Sequence, residues 1–321
     1  MARYLLRRVL QAIPLLLIIT FLLFLLMQEM GDPLSFYAGR GRIRPEDRVR
    51  LTQQLGLDRP AAVRYLVWLK NMATGNWGYS LATRQPVAQM IAERLPNTLL
   101  LMLTAEVVII TLSLLLGVYS ALRQYSFFDN ALTTLSLVGY SMLVFWVALV
   151  LIYIFGVYFK RWGLPYLPTG GVYDLAVGRT PAQVAWHLIL PVTTLSVISI
   201  SGYTRYIRAS MLEVINEDYV RTARAKGLRE RVIVFRDALK NAAIPFITLL
   251  GLDLPFLLGG AIVTESIFAW PGMGRLFWEH AGKADYPVLM AILVLISVAV
   301  VVFQLLADLC YTWLDPRIRY R

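Results

Sequence analysis

The chain has 321 residues, 58% of them hydrophobic and only 16% charged, with a mean hydropathy of +0.61. That balance excludes an ordinary soluble globular protein. The net charge of +11 accompanies no nucleic-acid-binding motif, and a single cysteine, Cys310, excludes an internal disulfide.

Six apolar runs, at residues 9–28, 97–121, 131–158, 183–204, 243–264 and 287–310, are long enough to cross a bilayer. About 20 helical residues span the hydrocarbon core, and these runs are far too long for barrel strands. The prediction is an all-α integral membrane protein with six transmembrane helices. Arg3, Arg7 and Arg8 precede the first run and place the N-terminus in the cytoplasm. That run ends in Met27-Gln28-Glu29-Met30 without a small-residue cleavage site, so it reads as a retained helix, locally kinked at Pro14.

Residues 31–96 are the one sizeable region outside the predicted spans. Helices are expected over Pro45–Leu55 and Ala61–Met72, followed by a compact turn through Gly75, Trp77, Gly78 and Tyr79. This segment carries ten Lys or Arg, but a loop of this length largely escapes the positive-inside rule, so it is compatible with the outside. The remaining connections alternate: 122–130 inside, 159–182 outside, 208–242 inside, 265–286 outside, and the C-terminal tail inside. Lys and Arg concentrate on the inside segments, eight of them between Arg208 and Asn241. Trp162, Trp186, Trp270, Trp278 and Trp313 fall near span ends and are expected at the membrane interface. The organisation is therefore 1–30 (N-terminus and first span), 31–96 (outer cap) and 97–321 (core, with a cytoplasmic loop at 208–245).

Within that loop, Glu213–Pro245 mixes charge with recurring apolar residues such as Val220, Ala223, Leu228 and Val232, the pattern of short one-faced helices. Ala223 and Gly227 stand four apart, as do Glu217 and Arg221. The first pair is expected to leave room on one helix face for another protein, the second to brace the helix start. The segment reads as a docking element at the membrane surface.

No phosphate-binding loop or nucleophile elbow is present, and His187 and His280 lack metal-ligand spacing, so the chain is not expected to be an enzyme. An acid within a span normally faces protein or water. Asp253 and Glu106 are candidates for a polar pathway, with Ser199, Gly202 and Gly251. The alternative for the acids is pairing with a neighbouring helix or a partner subunit, and for the small residues close helix packing. Glu265 and Asp308, nearer the interfaces, are expected to be satisfied structurally, and His187 to pack at a span entrance.

Several blocks, in order, resemble the permease subunits of peptide-type ABC importers, which include dipeptide, oligopeptide, glutathione and nickel systems. They are RRVLQAIPLLL (Arg7–Leu17), GDP (Gly31–Pro33), LGLDRP (Leu55–Pro60), RLPNT (Arg94–Thr98), LPTGG (Leu167–Gly171) and HLILP (His187–Pro191). RASMLEVINEDYVRTARAKGL (Arg208–Leu228), ALKNAAIP (Ala238–Pro245), FAWPGMGRL (Phe268–Leu276) and LDPRIRY (Leu314–Tyr320) complete the series. The resemblance implies a type I ABC importer permease fold with a small extracytoplasmic insertion after the first helix. It also implies that the cytoplasmic loop docks an ATP-binding subunit through a coupling helix, carried here by Tyr219, Val220, Arg221, Ala223, Arg224, Ala225, Lys226, Gly227 and Leu228. Arg221, Thr222 and Ala223 stand where the family's EAA pattern begins. The Glu of that pattern is missing, and Pro245 lies farther from Gly227 than in the general motif.

Implied partners are a second homologous permease, two ATP-binding subunits, an extracytoplasmic solute-binding protein and the lipid bilayer, in a bacterial inner membrane with both termini cytoplasmic. ATP and magnesium would be bound by the partners, so no cofactor is assigned to this chain. A dipeptide or oligopeptide is the first choice of cargo, with glutathione and a chelated metal left open. The alternatives are an ion-coupled secondary transporter built on Asp253 or Glu106, and a membrane receptor using the 31–96 loop.

Overall fold

A computed structural model describes residues 2–29, 50, 52 and 58–314; the helix expected over Pro45–Leu55 falls almost wholly outside them. The regular structure described is helical, apart from a single bridge between Tyr79 and Pro86. The main helices are α1 (Ala2–Glu29), α2 (Ala61–Ala73), α3 (Val87–Leu122), α4 (Phe127–Ser141), α5 (Val144–Leu151), α6 (Pro181–Ile215), α7 (Asp218–Ala225), α8 (Leu239–Ile267), α9 (Met273–Ala281) and α10 (Tyr286–Leu314). The chain divides into two compact units, Met1–Pro96 with Arg275–Val302, and Asn97–Gly274 with Phe303–Arg321.

In the first unit α1 continues as a helix through Pro14. It receives α2 at Tyr65, whose hydroxyl lies 2.8 Å from Thr20 Oγ1 and donates to the Leu17 carbonyl at 3.1 Å. Phe21 and Phe24 meet the same ring edge-on. A buried phenol needs such a partner, which fixes where α2 crosses α1. The turn after α2 has positive φ at Gly75 and Gly78.

Farther along, fully buried Asp285 accepts hydrogen bonds from the Ser80 hydroxyl (2.5 Å), the Leu81 and Ala82 N–H groups (3.0 and 3.1 Å) and His280 Nδ1 (2.8 Å). Burial disfavours its charge, but these bonds outweigh it and hold the carboxyl below its ordinary range.

The second unit is built on α6. Leu101, Ile109, Ile207, Met211, Phe246 and Trp270 form its buried centre. Lipid tails are as apolar as leucine, so close packing and hydrogen bonding fasten such helices. Glycine supplies the closeness: a Cβ at Gly117 would lie 2.7 Å from Ile207 Cβ, and one at Gly139 would collide with Ser201.

The run expected as one span at 131–158 is broken. α4 stops at Ser141, Met142 and Leu143 are extended, and α5 continues through a π turn, Ile152–Tyr158, to Arg161. Thr169 occupies the space a side chain at Gly156 would take, and the Phe155 carbonyl accepts the Leu167 N–H at 2.9 Å. Tertiary packing therefore shapes this stretch, and helical periodicity alone does not show it. Trp270 departs from its expected interfacial place: it is fully buried and donates to the Asn97 carbonyl at 3.0 Å, whereas Trp162, Trp186 and Trp278 are exposed.

Among the described residues, 87–122, 144–161, 181–215 and 286–306 are helices long and apolar enough to cross a membrane. The expected run at 243–264 lies within α8.

Replacing Asp285 by Ala would strand four donors at once. The expected cost is about 3 kcal/mol or more, read as faster amide exchange at Leu81 and Ala82. Because the folded-state value is lowered, this carboxylate stabilises the loop at neutral pH. That protection is expected to fade as the pH falls below about 4, toward the lower folded value.

Candidate functional site

The charged segment between α6 and α8 folds as the sequence suggests, into short helices with one apolar face. α7 follows α6 after only Asn216 and Glu217. Its inward residues, Val220 and Ala223, are buried with Ile233. Ile233 opens a π turn, Ile233–Ala238, that runs directly into α8. α7 is thereby tied to α6 through the chain and to α8 through side-chain packing.

Tyr219, Arg221, Thr222, Arg224, Ala225, Lys226 and Leu228 remain exposed. The Tyr219 hydroxyl accepts from Asn241 Nδ2 at 2.9 Å. Arg224 donates to Glu230 at 2.7 and 3.3 Å, and this bond lowers the Glu230 carboxyl. The pair is exposed, so its effect on stability is small.

Gly227 does not share a helix face with Ala223. The helix ends at Ala225, and Gly227 has φ +75°. Its N–H donates to the Arg224 carbonyl at 2.9 Å, and the Leu228 N–H donates to the Ala223 carbonyl at 3.3 Å. These two bonds form a Schellman cap, in which glycine meets a left-handed backbone requirement. The expected brace also shifts: Arg221 pairs with Asp218 at 3.7 Å, in the first turn of the helix, while Glu217 supplies a backbone carbonyl to Arg221. Of the nine residues assigned to docking, Val220 and Ala223 hold the helix in place, and the others form its outer surface or its cap.

The candidate pathway residues lie on α3 (Glu106), α6 (Ser199, Gly202) and α8 (Gly251, Asp253). Glu106 and Ser199 are half-buried and Gly251 is buried. Gly202 packs against the Tyr140 ring, where a Cβ would make contact at 3.4 Å. Asp253 lies on α8, with its side chain outside the described set.

Two polar clusters have partners that the sequence did not reveal, although Glu265 was expected to be satisfied structurally. Asp129, 1% exposed, accepts from Arg208 Nε and Nη2 at 2.5 and 2.7 Å, from the Tyr125 N–H at 2.9 Å and from the Ser120 hydroxyl. Arg208 holds the Asp129 carboxyl well below the ordinary carboxylate range, with burial opposing. The spacing of Ser126 and Asp129 was the available signal, since Ser126 caps α4 by accepting the Asp129 N–H. The second cluster joins two of the quoted sequence blocks. Thr98 donates to buried Glu265 at 2.6 Å and accepts the Met273 N–H at 2.7 Å, while Asn97 donates to the Pro271 carbonyl at 2.9 Å. A side chain at Gly272 would collide with the Glu265 carboxylate, so this glycine permits the close approach.

Comparison with known proteins covers the whole chain. The family described as binding-protein-dependent transport system inner membrane component matches residues 113–320, and its N-terminal counterpart matches residues 1–102. The oligopeptide transport system permease protein AppB of Bacillus subtilis (strain 168) is 44% identical over 322 residues, covering all of both chains. The di/tripeptide transport system permease protein DppB of Pseudomonas aeruginosa (strain UCBPP-PA14) is 38% identical over 340 residues, again covering both chains completely. A chain of the MetNI methionine ABC transporter, solved in inward-facing conformations, shares the fold. Its TM-score is 0.56 at 16% identity, covering 72% of this chain and 98% of that one.

At Gly227 a Cβ would meet no neighbour within 4 Å, so substitution there tests backbone conformation alone. Gly227→Val is expected to destabilise the cap by about 1–2 kcal/mol, and Gly227→Asn by much less, because asparagine tolerates the left-handed region. Amide exchange at Leu228 in the two variants measures the difference.

Proposed function

Since the chain belongs to the family of binding-protein-dependent transport system inner membrane components, we propose that it is the permease subunit of a peptide importer, its spans forming part of the cargo pathway. It is an integral protein of the inner membrane and not itself an enzyme. Peptide is the proposed cargo, supported by the full-length relatives named for oligopeptide and di/tripeptide transport. The same relatives favour ATP-driven import over an ion-coupled carrier built on Asp253 and Glu106.

The observation that carries the mechanism is α7. It is a two-faced helix with its apolar face held on Ile233 and its polar face exposed, set between two long helices. Six transmembrane helices with both termini cytoplasmic would place α7 on the side where ATP is available. Residues 31–96 and the 265–286 loop would then face an extracytoplasmic binding protein. Two ATP-binding subunits and a second homologous permease complete the proposed assembly. ATP and its magnesium belong to the partner subunits in this reading.

Closure of the ATP-binding subunits would displace α7, which passes the movement to α6 through Asn216–Glu217 and to α8 through Ile233. The permease pair then alternates between outward- and inward-facing states, driven by the difference in partner contacts between the two. Peptide released by the binding protein enters in one state and leaves in the other.

The first test is to extract the tagged chain gently from its own membrane and identify what co-purifies in stoichiometric amounts. ATP-binding subunits are expected, and a chain that purifies alone yet transports without ATP would overturn the assignment. Ala225→Trp places bulk on the exposed face of α7 without touching Val220 or Ala223. It is expected to reduce co-purified ATP-binding subunit and peptide uptake by about tenfold or more while membrane insertion stays normal. Unchanged uptake would remove α7 as the docking surface.

A further inference from the structure

Asp129 draws its four donors from three separate places: the end of α3 (Ser120), the turn that follows it (Tyr125) and α6 (Arg208). The Arg208 fork is bidentate, a geometry that fixes angle as well as distance. Tyr125 adopts φ +62° where its N–H reaches the carboxylate, a conformation that a non-glycine residue keeps only when its surroundings enforce it. Close packing flanks the pair, at Gly117 against Ile207 and at Gly139 against Ser201. Arg208 lies seven residues before the end of α6, and ten before the first residue of α7.

A long helix driven from one end can respond by bending there or by carrying its neighbours with it. With its carboxylate buried and its guanidinium half-buried, such an ion pair contributes little net stability compared with an apolar pair of similar size, so its use near the driven end points to geometry. We infer that Asp129 and Arg208 are positioning residues for energy coupling: they fasten the α7-proximal end of α6 to the junction of α3 and α4, so that displacement of α7 moves α3, α4 and α6 together. This rests on the ATP-driven reading above. Neither residue touches cargo or nucleotide in this role.

The test uses the complete importer, reconstituted with its partner subunits and binding protein, and reads peptide imported per ATP hydrolysed. The double variant Asp129→Asn/Arg208→Met removes both charges and so avoids stranding either one. It is expected to assemble and hydrolyse ATP at rates close to wild type while the transport ratio falls about tenfold. Arg208→Lys keeps the charge but loses the fork and is expected to show a smaller fall in the same ratio. It also supplies the measurement if the double variant fails to assemble. A wild-type ratio in whichever of these variants assembles would overturn the positioning role, because a purely structural pair would change yield or thermal stability without uncoupling. ATP-independent transport by the wild-type importer would instead overturn the importer reading, so the two failures are distinguishable.

Discussion

A carboxylate removed from water must be met by donors, and this requirement organises both units of the protein. Asp129, Glu265 and Asp285 are each at most 1% exposed. Each recruits groups distant in sequence: Arg208 for Asp129, Thr98 for Glu265, and Ser80, Leu81 and Ala82 for Asp285. Leaving any of these acids unpaired would cost several kcal/mol, on the order of a large part of a domain's stability. The acids therefore act as fixed points, and the helices of each unit are placed by where the donors must be. Glycine serves the same end at Gly272, where only the missing side chain admits the Glu265 carboxylate.

The short helix α7 is held by a different constraint. An isolated helix of eight residues is not stable in water. α7 persists because Val220 and Ala223 rest on Ile233 and because the Gly227 cap satisfies two of its last carbonyls. Its inner face is committed to this chain, and its outer face is exposed. A single small helix thus rests one face on its own scaffold, and the chain joins it to both adjacent long helices.

The comparisons separate fold from cargo. A chain of a methionine transporter shares the fold at 16% identity, so the arrangement of helices persists where most side chains differ. Fold alone does not select a substrate. The peptide assignment comes from relatives at 38–44% identity along the entire chain.

Much of the protein was legible without coordinates. Long apolar runs announced membrane helices, because a buried backbone must close its own hydrogen bonds. The charged, periodically apolar stretch Glu213–Pro245 announced short helices with one apolar face. Local pattern misread Gly227, since spacing cannot tell the last turn of a helix from the cap just beyond it. It also misread Trp270, whose indole is claimed by Asn97 far along the chain, and it treated 131–158 as one span although the helix is interrupted at Met142 and Leu143. By itself the sequence determined membrane residence and the one-faced helices of the charged segment, through composition and local periodicity, and the family, through the ordered blocks that resemble it. Only the tertiary structure decided which acids are clamped, which glycines are contact points and which face of α7 is free, because these depend on residues far apart in sequence being brought to within a hydrogen bond of each other.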